Sequence, residues 1–335
     1  MRVHEGLVIG VDVGGTKVAA GLVDPSGEIL SHNRNAMVTD TAATGLESVT
    51  KAIETACAQA KAIAGEPNLI RAIGICAPGP LDPNTGVVLN PPNLPCWRNF
   101  PLAAEVARTY RVQVKVDNDA NAAGLAEALW GAARGYRYIF YATFGTGVGT
   151  GIVFDGKIYH GRTGAAAEGG HMSINYQGPL CACGKHGCIE AYASGPAIAR
   201  RARAKLESGQ KSSLLDLTAG KPEQLTCEMV SQGLKTNDRV ARETMAETVE
   251  LLAHWFGNII DLLEPDVMVI GGGVSAMLQP YFGEIQDRLP ACCVNQRCRE
   301  IPLVPARYGE DSVIAGGGGV VRGYRGQRRE NSRGR

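Results

Sequence analysis

Residues 7–13, apolar but for Asp12, and residues 18–23 form two runs that only Gly14, Gly15, Thr16 and Lys17 separate. Short apolar runs bounded by glycine predict two strands joined by a tight turn. Asp24, Pro25, Ser26 and Gly27 make a second turn ahead of a third strand at residues 28–30. The plan recurs about 130 residues later. Residues 138–144 read as a strand, 145–151 as a glycine turn, 152–154 as a return strand, Asp155 and Gly156 as a turn, and 157–159 as a third strand. Helical spacing of apolar positions follows each copy, at residues 45–64 and 238–263, and residues 119–133 are alanine-rich with Leu125, Leu129 and Trp130 on one side. Together these predict an α/β protein with mixed sheets, a duplicated domain with a cleft between its halves.

The glycine turns are neither a P-loop, which needs four residues between its first glycine and Gly-Lys, nor a dinucleotide fingerprint, which needs a helix after the glycines. Gly145, Gly147, Gly149 and Gly151 stand at every second position, with a strand after them. Residues without Cβ still let backbone amides approach an anion, and Thr16, Thr146 and Thr150 add hydroxyl donors. Either turn alone is also what an ordinary hairpin requires; two in repeated hairpins favour an anion site. A third run, Gly271, Gly272 and Gly273, follows an apolar strand at 266–270 and precedes a helix near Ser275. It suits close approach to a flat or phosphorylated ligand, or simply a strand-to-helix turn.

Residues 114–116 read as a strand whose end carries Asp117, Asn118, Asp119, Ala120 and Asn121, opening a helix. Ligands of α/β proteins commonly sit beyond the carboxyl ends of strands. Asp119 is placed to accept a proton from a hydroxyl, and Asn118 can hydrogen-bond a neighbouring polar group; an Asp there is equally a good N-cap. Upstream, Ala77-Pro78-Gly79-Pro80 and Pro91-Pro92-Asn93-Leu94-Pro95 form loops that proline stiffens, so a side chain such as Asn93 can be held in place at little ordering cost.

Residues 168–190 hold the densest chemistry. Glu168 lies three positions before His171; Cys181, Cys183 and Cys188 follow, then Glu190. One imidazole and three thiolates at this spacing can close a tetrahedral zinc site, with Gly184, Lys185, His186 and Gly187 as the turn that gathers the thiols. Four protein ligands leave no open position, so the metal is structural; His186, inside the turn, competes with His171. Cys292, Cys293 and Cys298 read as packing residues.

Composition limits the rest. The 335 residues allow two cores, and a net charge of +1 offers no broad field for nucleic acid. No targeting segment or membrane-length apolar run is evident, so the ten cysteines fit a reducing cytoplasm. The basic residues 323–335 read as a disordered tail.

The set of motifs resembles the ROK family of sugar kinases over residues 6–322, carried by Asp12-Val13-Gly14-Gly15-Thr16-Lys17, the two proline loops, Asp117-Asn118-Asp119-Ala120-Asn121, residues 145–151 and above all residues 168–190. The resemblance implies a ribonuclease-H-like, actin-like ATPase fold with a small domain at residues 1–117, rejoined by about 305–322, and a large zinc-bearing domain at 118–304. It implies ATP-dependent phosphorylation of a hexose, most like the bacterial glucokinases, with Asp119 as base and Gly79, Asn93, Asn118, Glu168, His171 and Glu190 binding the sugar. The ATP phosphates would lie at Gly14, Gly15, Thr16 and Lys17 and at Gly145, Thr146 and Gly147, with Asp12 near Mg²⁺ and Gly272 and Gly273 beside adenine. His171, Cys181, Cys183 and Cys188 would hold zinc that shapes the sugar pocket, so metal loss should damage sugar binding first. A homodimer without nucleic-acid or membrane partners is expected. Kinases of N-acetylmannosamine, other N-acetylhexosamines or fructose share the chemistry, and the family also contains sugar-responsive repressors; these carry a winged helix, whereas six residues precede the first strand here.

Four places depart from the family pattern. Thr150 stands where the second turn usually continues with glycine, and Glu168 is followed by Gly169 and Gly170 where a bulky residue is more usual. Cys96 replaces a glycine before Trp97, and residues 316–319 are all glycine where alanine is commoner, which bears on helix stability.

Overall fold

The computed structural model describes residues 6–64 and 70–331, with backbone alone for residue 64 and residues 324–331. The first apolar run becomes β1 (Val8–Val13), which turns back as β2 (Lys17–Val23) and continues to β3 (Ile29–Ala36). All three pair antiparallel, with Asp12 opposite Ala19. α1 (Ala42–Ala64) then leads to β4 (Ala72–Ala77), parallel to β1 on its other side. A ribbon of β5 (Leu81–Asp82) and β6 (Val87–Val88) and the helix α2 (Leu102–Tyr110) precede β7 (Gln113–Asn118), which is parallel to β4. The sheet order is β3-β2-β1-β4-β7. The interior strand β4 is a continuous apolar run and β1 is interrupted only by Asp12, because both faces are covered, whereas the edge strand β3 alternates half-buried and exposed positions.

After α3 (Asp119–Leu129) the plan repeats with β8 (Tyr138–Phe144), β9 (Val148–Phe154) and β10 (Lys157–Ile158). Helices α4 (Glu190–Ala193), α5 (Gly195–Glu207), α6 (Leu214–Leu217), α7 (Cys227–Lys235) and α8 (Arg239–Leu263) follow. Then come β11 (Val267–Gly271), α9 (Ser275–Leu278), α10 (Phe282–Arg288), β12 (Leu303–Pro305) and α11 (Ser312–Asn331). The second sheet has the order β10-β9-β8-β11-β12, matching the first strand for strand. The duplication expected from the meanders is therefore a duplication of whole sheets.

The chain forms two compact units. One takes the chain up to Tyr141, Gly151–Ala167 and everything from Ala306; the other takes Ala142–Thr150 and Glu168–Pro305. The first therefore runs past the 117/118 boundary suggested by the sequence, because α3 packs with α11 and on β7 and β4. In its sheet, Ile9, Val11, Ile73 and Ile75 are fully buried and share a core with Val49, Ile53 and Ala56 of α1. α11 lies so close to the strands that a Cβ on Gly74 would come 1.9 Å from the Gly317 carbonyl oxygen, and one on Gly10 1.9 Å from that of Ile314. Gly316 and Gly317 thus serve backbone-to-backbone packing, Gly318 and Gly319 make room for the side chains of Val23, Leu125 and Leu129, and the helix persists through them. It continues in backbone to Asn331, so the tail expected to be disordered from residue 323 is helical that far; residues 332–335 lie outside the described residues. An established helix extends at little cost per residue, which composition alone does not reveal.

Two other boundaries shift for local reasons. α3 ends at Leu129 rather than 133 because the fully buried Glu127 turns its carboxylate back to accept from Ala132 N at 2.7 Å and from Arg307 N at 2.9 Å. β9 begins at Val148, so the second glycine turn is only residues 145–147. Gly149 and Gly151 are strand residues, and a Cβ on Gly151 would sit 2.7 Å from the Ala120 carbonyl oxygen, leaving α3 no room to start where it does. No helix among the described residues is long and apolar enough to cross a membrane.

Candidate active site and metal centre

In the first unit the end of β7 presents Asn118 and Asp119 as the sequence predicts. Asn118 is the N-cap of α3: its Oδ1 accepts from Ala120 N at 3.0 Å and Asn121 N at 3.2 Å. The capping role weighed for Asp119 therefore belongs to its neighbour. Asp119, the first helical residue, accepts from Ala120 N at 2.7 Å. Gly79 lies beside this pair, with a Cβ position 3.8 Å from Asn118 Nδ2. Beneath them Asp117 is fully buried; its Oδ1 accepts from Asn118 N at 2.8 Å and its Oδ2 lies 2.8 Å from His160 Nε2. Sequence reasoning missed His160, which stands 43 residues from its partner with no motif around it.

The β1–β2 turn faces a second acid of the same unit. Burial, then the charge of Asp119, push the Asp12 carboxyl up to about 7 against the opposing pull of Arg34. Two carboxylates this close in poor solvent are stabilised by a cation, which is the environment that a divalent metal accompanying a phosphate ligand meets. Gly14 N donates to Lys17 O at 2.9 Å, closing the turn, so that amide is committed. Gly15 carries the close approach: a Cβ there would fall 2.7 Å from the Asn93 carbonyl oxygen. The glycine turn and the proline loop thus meet, and Thr16 and Lys17 are exposed beyond them. The loop is anchored by Trp97, fully buried, stacked on Phe100 at 5.2 Å and donating from Nε1 to Ala42 O at 3.3 Å.

In the second unit the corresponding turn closes in a similar way, with Gly145 N donating to Gly147 O at 2.9 Å. Gly145, Thr146 and Gly273 border a cavity of about 1000 Å³, whose far wall is α5 and α7 with Arg200, Cys227 and Lys235. Helix positions without a recognisable motif gave no sequence signal for that wall. Gly272 does not line it; at φ +86° it folds against Phe144, where a Cβ would meet the Phe144 carbonyl oxygen at 2.3 Å.

The metal-ligating set assembles in this unit. The candidate ligand atoms of His171, Cys181, Cys183 and Cys188 all lie within 4.8 Å of one another, with Cys183 Sγ 3.6 Å from Cys188 Sγ and Cys181 Sγ 3.7 Å from His171 Nδ1. Zinc–sulfur bonds of about 2.3 Å at tetrahedral angles require sulfurs about 3.8 Å apart, so the donor set fits zinc. His171 offers Nδ1 to the cluster. His186 is excluded, since its Nδ1 lies 2.9 Å from Gly178 O, away from the thiols. Burial pushes the Cys181 thiol up to about 12 and raises Cys188 as well, whereas at the exposed Cys183 burial is outweighed by hydrogen bonds and the Lys185 charge, which lower it.

Glu190 joins this centre to the glycine turn. Its Oε1 lies 3.5 Å from Cys181 Sγ and 3.8 Å from His171 Nδ1, and its Oε2 accepts from Val148 N at 2.9 Å. A Cβ on Gly147 would fall 2.6 Å from that oxygen, so a side chain there would displace the carboxylate. Glu168 is exposed at the head of a single helical turn, Gly169–His171, with His171 N donating to its carbonyl at 3.0 Å. Among the described residues this is the one group of metal-ligating side chains; Cys292, Cys293 and Cys298 form no second one.

The sequence profile of the ROK family matches residues 8–322. The chain belongs to the ROK family. A glucokinase from Thermotoga maritima is 34% identical over 94% of this chain and 97% of its own length, and one from Streptomyces coelicolor is 36% identical over 95% and 98%. A solved ROK family glucokinase from Streptomyces griseus, in complex with glucose and AMPPNP, is similar with a TM-score of 0.79 at 34% identity, over 95% of this chain and 100% of that one. A xylose repressor from Bacillus subtilis is 25% identical over 74% of this chain and 60% of its own length. This ROK chain accordingly has the actin-like ATPase fold that the family resemblance implied, and its repeated meander is the duplication within it.

Proposed function

We propose that this ROK protein is an ATP-dependent hexose kinase that converts glucose to glucose 6-phosphate. The observation that carries the reading is Asp119, held by the Asn118 cap at the mouth of α3 in the electrostatic field of Asp12. Asp119 accepts the proton of the 6-hydroxyl as that oxygen attacks the γ-phosphorus of ATP; the bond to the bridging oxygen breaks and ADP departs. Asp119 is left protonated and returns its proton to solvent.

The remaining residues position substrates, which is most of what phosphoryl transfer asks of a protein. Asn118, with Gly79 and Asn93 nearby, and Glu168, His171 and Glu190 orient the sugar. The turns at Gly14, Gly15, Thr16 and Lys17 and at Gly145, Thr146 and Gly147 receive the phosphates, Asp12 faces the accompanying Mg²⁺, and the cavity beside Gly273 takes the adenine. His171, Cys181, Cys183 and Cys188 would hold a structural zinc, which would supply rigidity and no chemistry at the phosphate. His171 then binds through Nδ1 and keeps Nε2 for a sugar hydroxyl. The reading carries with it a homodimer, tested by sedimentation, and a cytoplasmic location suited to ten cysteines that form no disulfide.

A coupled assay with ATP across glucose, mannose, fructose, N-acetylglucosamine and N-acetylmannosamine tests the substrate; preference for an N-acetylated sugar would replace glucose. Asp119→Asn should lower kcat about 100- to 10,000-fold, the worth of a general base, while glucose binding by calorimetry stays within a few-fold. An active Asn variant would overturn the base assignment.

A further inference from the structure

Gly169 is held by side chains from two elements. Thr150, on β9 and only 4% exposed, accepts from Gly169 N through Oγ1 at 2.8 Å. From α8, the fully buried Trp255 donates through Nε1 to Gly169 O at 3.1 Å. The next residue lies directly on the strand, since a Cβ on Gly170 would come 1.8 Å from the Val148 carbonyl oxygen. This single turn carries Glu168 at its head and His171 at its end. Both main-chain groups of Gly169 are therefore anchored at the midpoint between two residues that must be aimed.

Thr150 and Gly169 also specify one another. A Cβ at 169 would lie 2.8 Å from Thr150 Oγ1 and 3.1 Å from its Cγ2, so threonine at 150 admits no side chain at 169. Gly169 has no positive φ, so space and not backbone conformation demands the glycine. The two departures from the family pattern at these positions are one paired feature. A buried N–H left without its acceptor would draw the turn out of place, because it must find water or another partner.

We propose that Thr150 is a positioning residue that aims Glu168 and His171 at the sugar by fixing Gly169 N, with Gly169 as its obligatory partner. This rests on the assignment of Glu168 to the sugar, so Glu168→Gln is measured alongside. In the full-length, zinc-loaded protein, Thr150→Val keeps the shape and removes the acceptor; it should raise the glucose KM about tenfold, the effect of one lost buried hydrogen bond, with the ATP KM unchanged. Thr150→Ser should restore a near-native glucose KM. Gly169→Ala adds a clash to the disturbed hydrogen bond and should raise the glucose KM beyond Thr150→Val, and Thr150→Gly combined with Gly169→Ala should bring it back to the Thr150→Val value. That double variant tests the pairing even where Thr150→Val does not fold, since its rescue depends on space between the two positions alone. A native glucose KM in Thr150→Val, beside a raised one in Glu168→Gln, overturns the proposal and leaves the sugar site standing. Equal rises in the glucose and ATP KM values also overturn it, showing a general structural role. A native glucose KM in Glu168→Gln overturns the sugar assignment and the proposal together.

Discussion

Asp12 holds a charge at a cost that the rest of its unit bears. Its carboxyl titrates near 3.8 when unfolded and near 7 in the folded protein, so between those values the native state binds the extra proton. Stability therefore falls as pH rises through that window and stays reduced above it. Asp12→Asn removes the buried charge, and in magnesium- and nucleotide-free buffer it should raise Tm clearly at pH 8 and hardly at pH 4. Thermal melts at both values check this, and an equal shift at each would refute the burial account. The same variant should bind ATP with magnesium more weakly. Single residues were the most legible level in the sequence where a motif surrounded them: Asp119, His171 and the three cysteines stand in recognisable runs. His160 and Thr150 did not stand out as contacts because each meets its partner across a fold, Asp117 and Gly169 respectively, and spacing carries no trace of such a meeting.

Elements were legible in kind but not in extent. Both meanders could be read because apolar runs alternate with glycine turns, yet β9 began three residues after Gly145 and not after Gly151. Alternating glycines look like one turn in sequence, but Gly151 is in fact the bare position a strand needs where α3 abuts it. The four glycines of α11 pose the same ambiguity, between a weak helix and a helix pressed on a sheet. The close approach at Gly74 and Gly317 decides for the second. Gly74→Ala would push a methyl into the Gly317 carbonyl, and overpacking of this sort costs about 1–3 kcal/mol or more. Tm should fall by several degrees, whereas Gly323→Ala, with nothing within 4 Å of its Cβ position, should leave stability unchanged or raise it slightly through helix propensity. Parallel melts of the two variants check the contrast; equal changes would mean that the close approach at Gly74 does not set the demand for glycine there.

At the scale of the whole molecule the metal centre belongs to one unit, and its reach can be bounded. Through Glu190 it touches Val148 at the end of the second glycine turn, so a metal held there would fix more than the residues proposed to bind sugar. The first unit, with β1–β4, β7, α1 and α11, contains none of the four ligands. The unit boundaries themselves were not legible, because β8 and β9 each run unbroken through a point where the chain passes from one unit to the other. Stripping zinc with a chelator should therefore raise the glucose KM at least tenfold and the ATP KM by a smaller factor, through the loss of a fixed Glu190. Cys183→Ala, which removes one ligand, should do the same without chelator. Hydrogen exchange gives the spatial readout. Protection should fall across residues 168–195 and 145–150, where the ligands and the Glu190 contact lie, and stay native in β1, β4 and α1. Loss of protection in β1 and β4 as well would show that the metal stabilises the entire protein, and unchanged KM values in a zinc-free preparation would remove the metal from the sugar site altogether.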